Sequence, residues 1–235
     1  MSRVFILTMA GVLISTLELS VPIFGQIWVT RYNGPANDYD YASAIAVDGS
    51  GNIYVTGTSW GSGSFNDYAT VKYNSSGDSL WVARYNGPDN SYDEVSAVAV
   101  NRSYVYVTGG SMDSNLCYDY ATSKYNSLGN SLWVARYNGP ANDNDYANAI
   151  AVDGSQNVYV TGYSTGSGTW WDCATTKYDS SGVEQWVKRY ITNDYDYAIA
   201  IAIDGLGNIY VTGSSGDPYT SNWDFMTIKY ASYRK

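Results

Sequence analysis

The chain has 235 residues, with 13 Lys or Arg, 22 Asp or Glu and no His, for a net charge of −9. That balance argues against nucleic acid or an anionic membrane as partner, since both select for basic patches. The absence of His removes the commonest general base and the commonest metal ligand together.

Residues 1–25 read as a secretory signal peptide. Arg3 supplies the positive start, Val4–Leu17 carries no charge, and Ser20–Gly25 leads to a small residue at the expected cleavage point. The run is too short and too poorly flanked for a stable membrane anchor. No later stretch is apolar for long enough to cross a bilayer, so the expectation is a secreted protein, extracellular or periplasmic, without membrane insertion. About 210 residues then remain, enough for one domain at 26–235 that buries roughly 70% of its extended-chain surface.

That domain repeats itself. "WVTRYNGP" opens at Trp28, "WVARYNGP" at Trp81 and again at Trp133, and a divergent "WVKRYITN" at Trp186, spaced by 53, 52 and 53 residues. A period near 50 with several short strands per unit is the signature of a β-propeller blade. Four strands are expected per unit. Strand A is "AIAVD" (Ala44–Asp48) and its copies at Ala97–Asn101, Ala149–Asp153 and Ala200–Asp204. Strand B is "NIYVTG" (Asn52–Gly57), repeated at Tyr104–Gly109, Asn157–Gly162 and Asn208–Gly213. Strand C is "DYATVKY" (Asp67–Tyr73), repeated at Asp119–Tyr125, Asp172–Tyr178 and Asp224–Tyr230, and strand D is "LWVARY" with its copies. Hairpin loops such as "DGSGN" (Asp48–Asn52) and "NSSGD" (Asn74–Asp78) join them. Within strand D, Trp and Tyr alternate onto one face and Val and Arg onto the other. The strands are β-branched and aromatic without strict polar alternation, as in blades packed on both faces.

The fold expected is therefore all-β, a four-bladed β-propeller with four antiparallel strands per blade. The domain starts on a D strand at "IWVTRY" and its last unit runs through strand C, so the N-terminal D strand is expected to close the ring by pairing with the C-terminal A, B and C strands. The pattern "AIAVDGSGNIYVTGTS … DYATVKYNSSG … WVARYNGP" resembles the bacterial β-propeller repeat called SBBP, over essentially the whole chain after residue 25. The resemblance implies an extracytoplasmic propeller and supplies no catalytic residues. The family's name refers to seven blades where this chain holds four. A monomeric ring of four, a homodimeric ring of eight and a piece of a longer array all stay open, as does pairing of Cys117 with Cys173, which occupy unmatched repeat positions.

The B–C and D–A loops share one end of such a propeller. Trp60, Phe65, Trp170, Trp171, Tyr219 and Trp223 break the repeat there, all assigned to B–C loops, and rings beside Asp and Asn suit a carbohydrate or protein ligand. The competing reading folds these rings inward as a lid. The D–A loops "NDYD", "NSYD", "NDND" and "NDYD" offer Asp38, Asp40, Asp93, Asp143, Asp145, Asp194 and Asp196 as calcium ligands. The favoured reading is that they bond their own turns, because no bidentate Glu completes a calcium loop. Asp40, Asp93, Asp145 and Asp196 are expected to cap the loop before strand A. Arg31, Arg84, Arg136 and Arg189 are expected as mostly solvated partners of strand-C carboxylates, worth little each. Only Glu94 and Glu184 follow residue 25, no sialidase-type Asp box is present, and a Ser nucleophile would lack its usual base. The function expected is a binding or scaffold module, with a purely structural surface protein second and a glycoside-active hydrolase third.

Overall fold

The computed structural model describes residue 25 and residues 27–217, 219–220 and 222–232, so the expected signal peptide lies almost wholly outside the described residues. Among the described residues all regular structure is strand, and no helix is long and apolar enough to cross a membrane.

Fifteen strands form four antiparallel sheets in chain order. The first holds β1 (Asp40–Val47), β2 (Ile53–Trp60), β3 (Asn66–Tyr73) and β4 (Ser79–Tyr85). The second holds β5 (Asp93–Asn101), β6 (Tyr104–Met112), β7 (Tyr118–Tyr125) and β8 (Ser131–Tyr137). The third holds β9 (Asp145–Val152), β10 (Val158–Thr165), β11 (Trp171–Tyr178) and β12 (Glu184–Tyr190). The fourth has three strands, β13 (Tyr195–Ile203), β14 (Ile209–Asp217) and β15 (Asn222–Tyr230).

The hairpins close by the chemistry their residues suggest. Asp48 Oδ1 accepts the N–H groups of Ser50 and Asn52, while Gly51 takes the positive φ of the turn. Strand A starts several residues before the "AIAVD" expected for it. A bulge interrupts the register between Ala42 and Ala44, and again between Val95 and Ala97 and between Ala198 and Ala200. It presses the strand-A backbone onto the Gly of "VTG": a Cβ on Gly57 or Gly109 would lie 2.0 or 2.1 Å from the carbonyl oxygen of Tyr41 or Glu94.

Successive sheets pack face to face, at three interfaces. Tyr54, Tyr68 and Ala83 of the first sheet pack on Val105, Val107, Ala121 and Tyr125 of the second. The second meets the third through Tyr106, Tyr120 and Ala135 against Val158, Val160, Ala174 and Tyr178. Tyr159 and Cys173 of the third meet Ile209, Val211 and Met226 of the fourth. Trp81, Ala83 and Tyr85 share the forward face of strand D, as the alternation requires. The repeat Trp residues lie at the rim rather than deep in these cores. The rings of Trp28, Trp81 and Trp133 cover Gly77, Gly129 and Gly182 in the following C–D turn, and their Nε1 groups donate to the carbonyls of Ser75, Ser127 and Ser180.

Among the described residues of the single chain, Ile27–Tyr32 does not complete the fourth sheet: β15 has no neighbour beyond β14. The stretch lies instead on the first sheet, where Trp28 covers Gly77 and the Tyr32 hydroxyl accepts from Arg84 at 2.9 Å. Tyr85 and Tyr137 receive Arg136 and Arg189 in the same way, so Ile27–Tyr32 stands where the D strand of a preceding blade would stand. Its own cross-blade contacts hold it there.

Candidate binding face

The B–C and D–A loops do share one end of the stack. The Trp60 N–H donates to the Tyr39 carbonyl, and the Phe65 N–H to that of Asn90. The loop before strand A is held by its Asp, as expected: Asp40 Oδ2 accepts the Gly34 N–H at 2.8 Å and Asp93 Oδ2 that of Gly87 at 2.6 Å, with Asp145 and Gly139 the same. The shorter fourth loop substitutes Thr192, whose N–H and hydroxyl both donate to Asp196. One oxygen of each carboxylate is spent on its own loop, while Oδ1 of Asp93, Asp145 and Asp196 is buried without a hydrogen-bond partner. Asp38 and Asp143 likewise accept the N–H of the next residue, and among the described residues no three carboxylates or thiols converge as a metal ion requires.

Arg84, Arg136 and Arg189 are not the solvated charges expected from their sequence, whereas Arg31 is exposed as expected. Arg136 donates to Asp119 Oδ2 (2.9 Å), to the Ser111 carbonyl (3.0 Å) and hydroxyl, and to the Tyr85 hydroxyl of the preceding blade (3.0 Å). Arg84 and Arg189 repeat the clamp on Asp67 and Asp172. Strands B, C and D converge at this end and partly bury the guanidinium between sheets, which the pairing of types could not reveal. Cys117 and Cys173 are both free, Cys173 buried at the third interface.

The six non-repeated rings form separate groups, each joined by a tyrosine. Phe65 stacks on Tyr92 with centroids 4.6 Å apart, and Trp60 stands edge-on to Phe65 at 5.8 Å. Trp171 stacks on Tyr163 at 4.5 Å and Trp170 on Tyr195 at 5.2 Å. Trp223 meets Tyr197 edge-on at 5.6 Å, and Tyr219, 79% exposed at a loop tip, stands beside Tyr195. Trp60, Trp171 and Trp223 belong to strand ends rather than to the loops expected for them, because the B and C strands run further before turning. The rings neither close into a lid nor stand free. Trp170 remains 50% exposed and Phe65 45%.

The Trp171 group extends into a ladder across two sheets: Tyr163 stacks on Tyr146 at 6.1 Å, and Tyr146 meets Tyr118 at 5.5 Å. Glu94 joins both ends of that pair, accepting from the Tyr118 hydroxyl at 3.2 Å and the Tyr146 hydroxyl at 3.0 Å. Burial, reinforced by Glu94, holds both phenols well above their ordinary range, so neither is an available nucleophile at neutral pH. Asp93 and Asp145 are pushed up to about 6, by burial above all. Both are sealed from solvent, so they have no route to a substrate. No pattern in the sequence singles out Tyr92, Tyr118, Tyr146, Tyr163 or Tyr195 as a site residue. Tyr92 and Tyr195 sit in the very loops quoted for their Asn and Asp, and that position was the available signal.

Comparison with known proteins agrees with the repeat. The SBBP family model, described as a beta-propeller repeat, matches residues 27–66, 133–168 and 185–220. No curated protein matches the chain. Among solved structures, the tail fiber of Staphylococcus aureus phage P68 is similar at a TM-score of 0.29 and 11% identity, over 81% of this chain and 49% of that one. The chain thus spans about half the length of that structure's chain.

Proposed function

We propose that this chain of SBBP β-propeller repeats is a secreted binding or scaffold module, and that its ligand sits on the end formed by the B–C and D–A loops. The observation that carries the reading is the ring system itself. Trp170 and Trp171 stack on Tyr195 and Tyr163, which fixes their orientation, yet each keeps more than a third of its surface open to solvent. Rings held in place at low entropic cost beside Asn and Asp suit the apolar face and hydroxyls of a sugar, or a protein hot spot. As part of this reading the four sheets are propeller blades, and the last takes Ile27–Tyr32 as its fourth strand.

The module is not an enzyme on this reading. The buried Asp93 and Asp145 hold loops, Glu94 is engaged by two tyrosines, and Glu184 opens β12 after a C–D turn. These four carboxylates are not arranged as a pair for glycoside chemistry. A glycan-array screen of the protein beside a Trp170→Ala/Trp171→Ala variant tests the proposal. Selective binding that the variant loses while keeping its far-ultraviolet circular dichroism supports it. Binding that survives the double substitution places the ligand elsewhere, and a silent array with no captured protein partner turns the reading toward a purely structural role.

A further inference from the structure

The two ends of the stack expose the two halves of one interface. Position by position, Phe225 of β15 corresponds to Tyr68, Tyr120 and Cys173. Those three are fully buried against the next sheet, whereas Phe225 is 98% exposed. The threonine pairs follow the same rule: Thr56–Thr70, Thr108–Thr122 and Thr161–Thr175 are buried, and Thr212–Thr227 is open. At the other end, Ile45 of β1 is 67% exposed and Val47 62%, where the matching residues of β5, β9 and β13 are half-buried under a neighbour. Here the first sheet carries an apolar groove of about 310 Å³, lined by Ile45, Ile53, Val55, Val71 and Tyr73 together with Trp28.

We infer that a second copy of this chain fills that groove, and that two copies complete one eight-bladed ring. In it the β13–β15 sheet of each copy takes Ile27–Tyr32 of the other as its fourth strand. The inference rests on the propeller reading above and deepens it. What covers such a face is visible three times in the molecule, at the three interfaces between successive sheets. The single chain holds both halves of a fourth interface, and its own β15 does not reach Ile27–Tyr32. Propellers run from four to eight blades, so two sets of four sheets fall within the range of a closed ring.

The register follows from the repeat. Thr70 pairs with Ala83, Lys72 with Trp81 and Tyr68 with Tyr85 in the first sheet. The junction therefore pairs Thr227 with Thr30, Lys229 with Trp28 and Phe225 with Tyr32. The Arg31 guanidinium then reaches Asp224 and Ser215 of the other copy as Arg84 reaches Asp67 and Ser59.

Facing Cα atoms of antiparallel strands lie within the span of a disulfide. The full chain carrying both Thr30→Cys and Thr227→Cys should oxidise to a species of twice the chain mass on a denaturing gel, while the parent chain does not. Light scattering of the parent should give the mass of two chains. Phe225→Asp, at a position open in the single chain, should halve that mass and leave the circular dichroism unchanged. A crosslink confined within one chain would overturn the two-copy ring yet leave the propeller reading standing, and an absent crosslink would sink both. A parent chain of single mass, an open series of larger species, or a Phe225→Asp variant that stays paired or unfolds would each overturn the inference.

Discussion

Replacing Arg136 with Met isolates the clamp that joins strands and blades. The change removes a charge-assisted bond to Asp119 at 2.9 Å, one to the Ser111 carbonyl at 3.0 Å and one to the Tyr85 hydroxyl at 3.0 Å. Asp119 would be left with a side chain only 9% exposed, and its Oδ1 already lacks a partner. An exposed pair would be worth less than about 1 kcal/mol. Leaving a buried carboxylate uncompensated costs about 3–5 kcal/mol, and partial exposure of Arg136 places the expectation near about 3 kcal/mol. Protonation limits the loss, because burial already holds the Asp119 carboxyl above its ordinary value even with Arg136 beside it. Urea unfolding followed by tryptophan fluorescence, at one protein concentration, reads the difference as a lower midpoint. The Arg136→Met/Asp119→Leu double variant should recover at least half of the loss, since an apolar pair of similar volume carries no stranded charge. A loss under about 1 kcal/mol, or a double variant no better than the single one, would refute the reasoning and return these arginines to solvated charges.

Gly109→Ala should destabilise by about 2–4 kcal/mol in the same assay, because its Cβ meets the Glu94 backbone, whereas Gly154→Ala, with open space around it, should shift stability by less than about 0.5 kcal/mol. Asp93 and Asp145 should make stability fall as pH rises from about 4 to about 6. Their folded pKa, near 6, lies above the unfolded one, so the folded state holds protons that the unfolded chain has released. That contribution is complete below about pH 4 and gone above about pH 6, and Asp93→Asn with Asp145→Asn should flatten the profile in this window. Tyr120→Phe deletes a buried donor to the Ala174 carbonyl at 3.2 Å and should lower stability by about 1 kcal/mol, with the interface otherwise intact.

The antiparallel sheets were legible because three signals coincide within each repeat: an Asp or Asn that caps a turn, a Gly with positive φ, and β-branched strands between them. The start of strand B could be read from "NIYVTG", but its end, which runs past the Gly to Trp60, and the start of strand A could not. The bulge after Ala42 breaks the alternation, and the Gly that marks its partner looks like an ordinary turn residue until the Tyr41 carbonyl is seen against it. The caps at Asp40, Asp93 and Asp145 were readable as local chemistry. The burial of Arg84, Arg136 and Arg189 was not, since it depends on Tyr32, Tyr85 and Tyr137 about 50 residues earlier, on the preceding blade. Of the candidate face, the six non-repeated rings announced themselves by breaking the repeat. Their stacking partners Tyr92, Tyr163 and Tyr195 did not, because tyrosine is common throughout this chain. Complementary strands at the two ends of the repeat were also visible, but a strand missing from one sheet and present beside another does not say which copy supplies it.

Electron microscopy of the purified protein viewed down the ring axis tests most directly whether the exposed faces of β1 and β15 are halves of one interface. An eight-lobed closed ring built from two chains is the expected view. A four-lobed ring, or isolated open arcs of four sheets at concentrations where light scattering reports a single species, would contradict it.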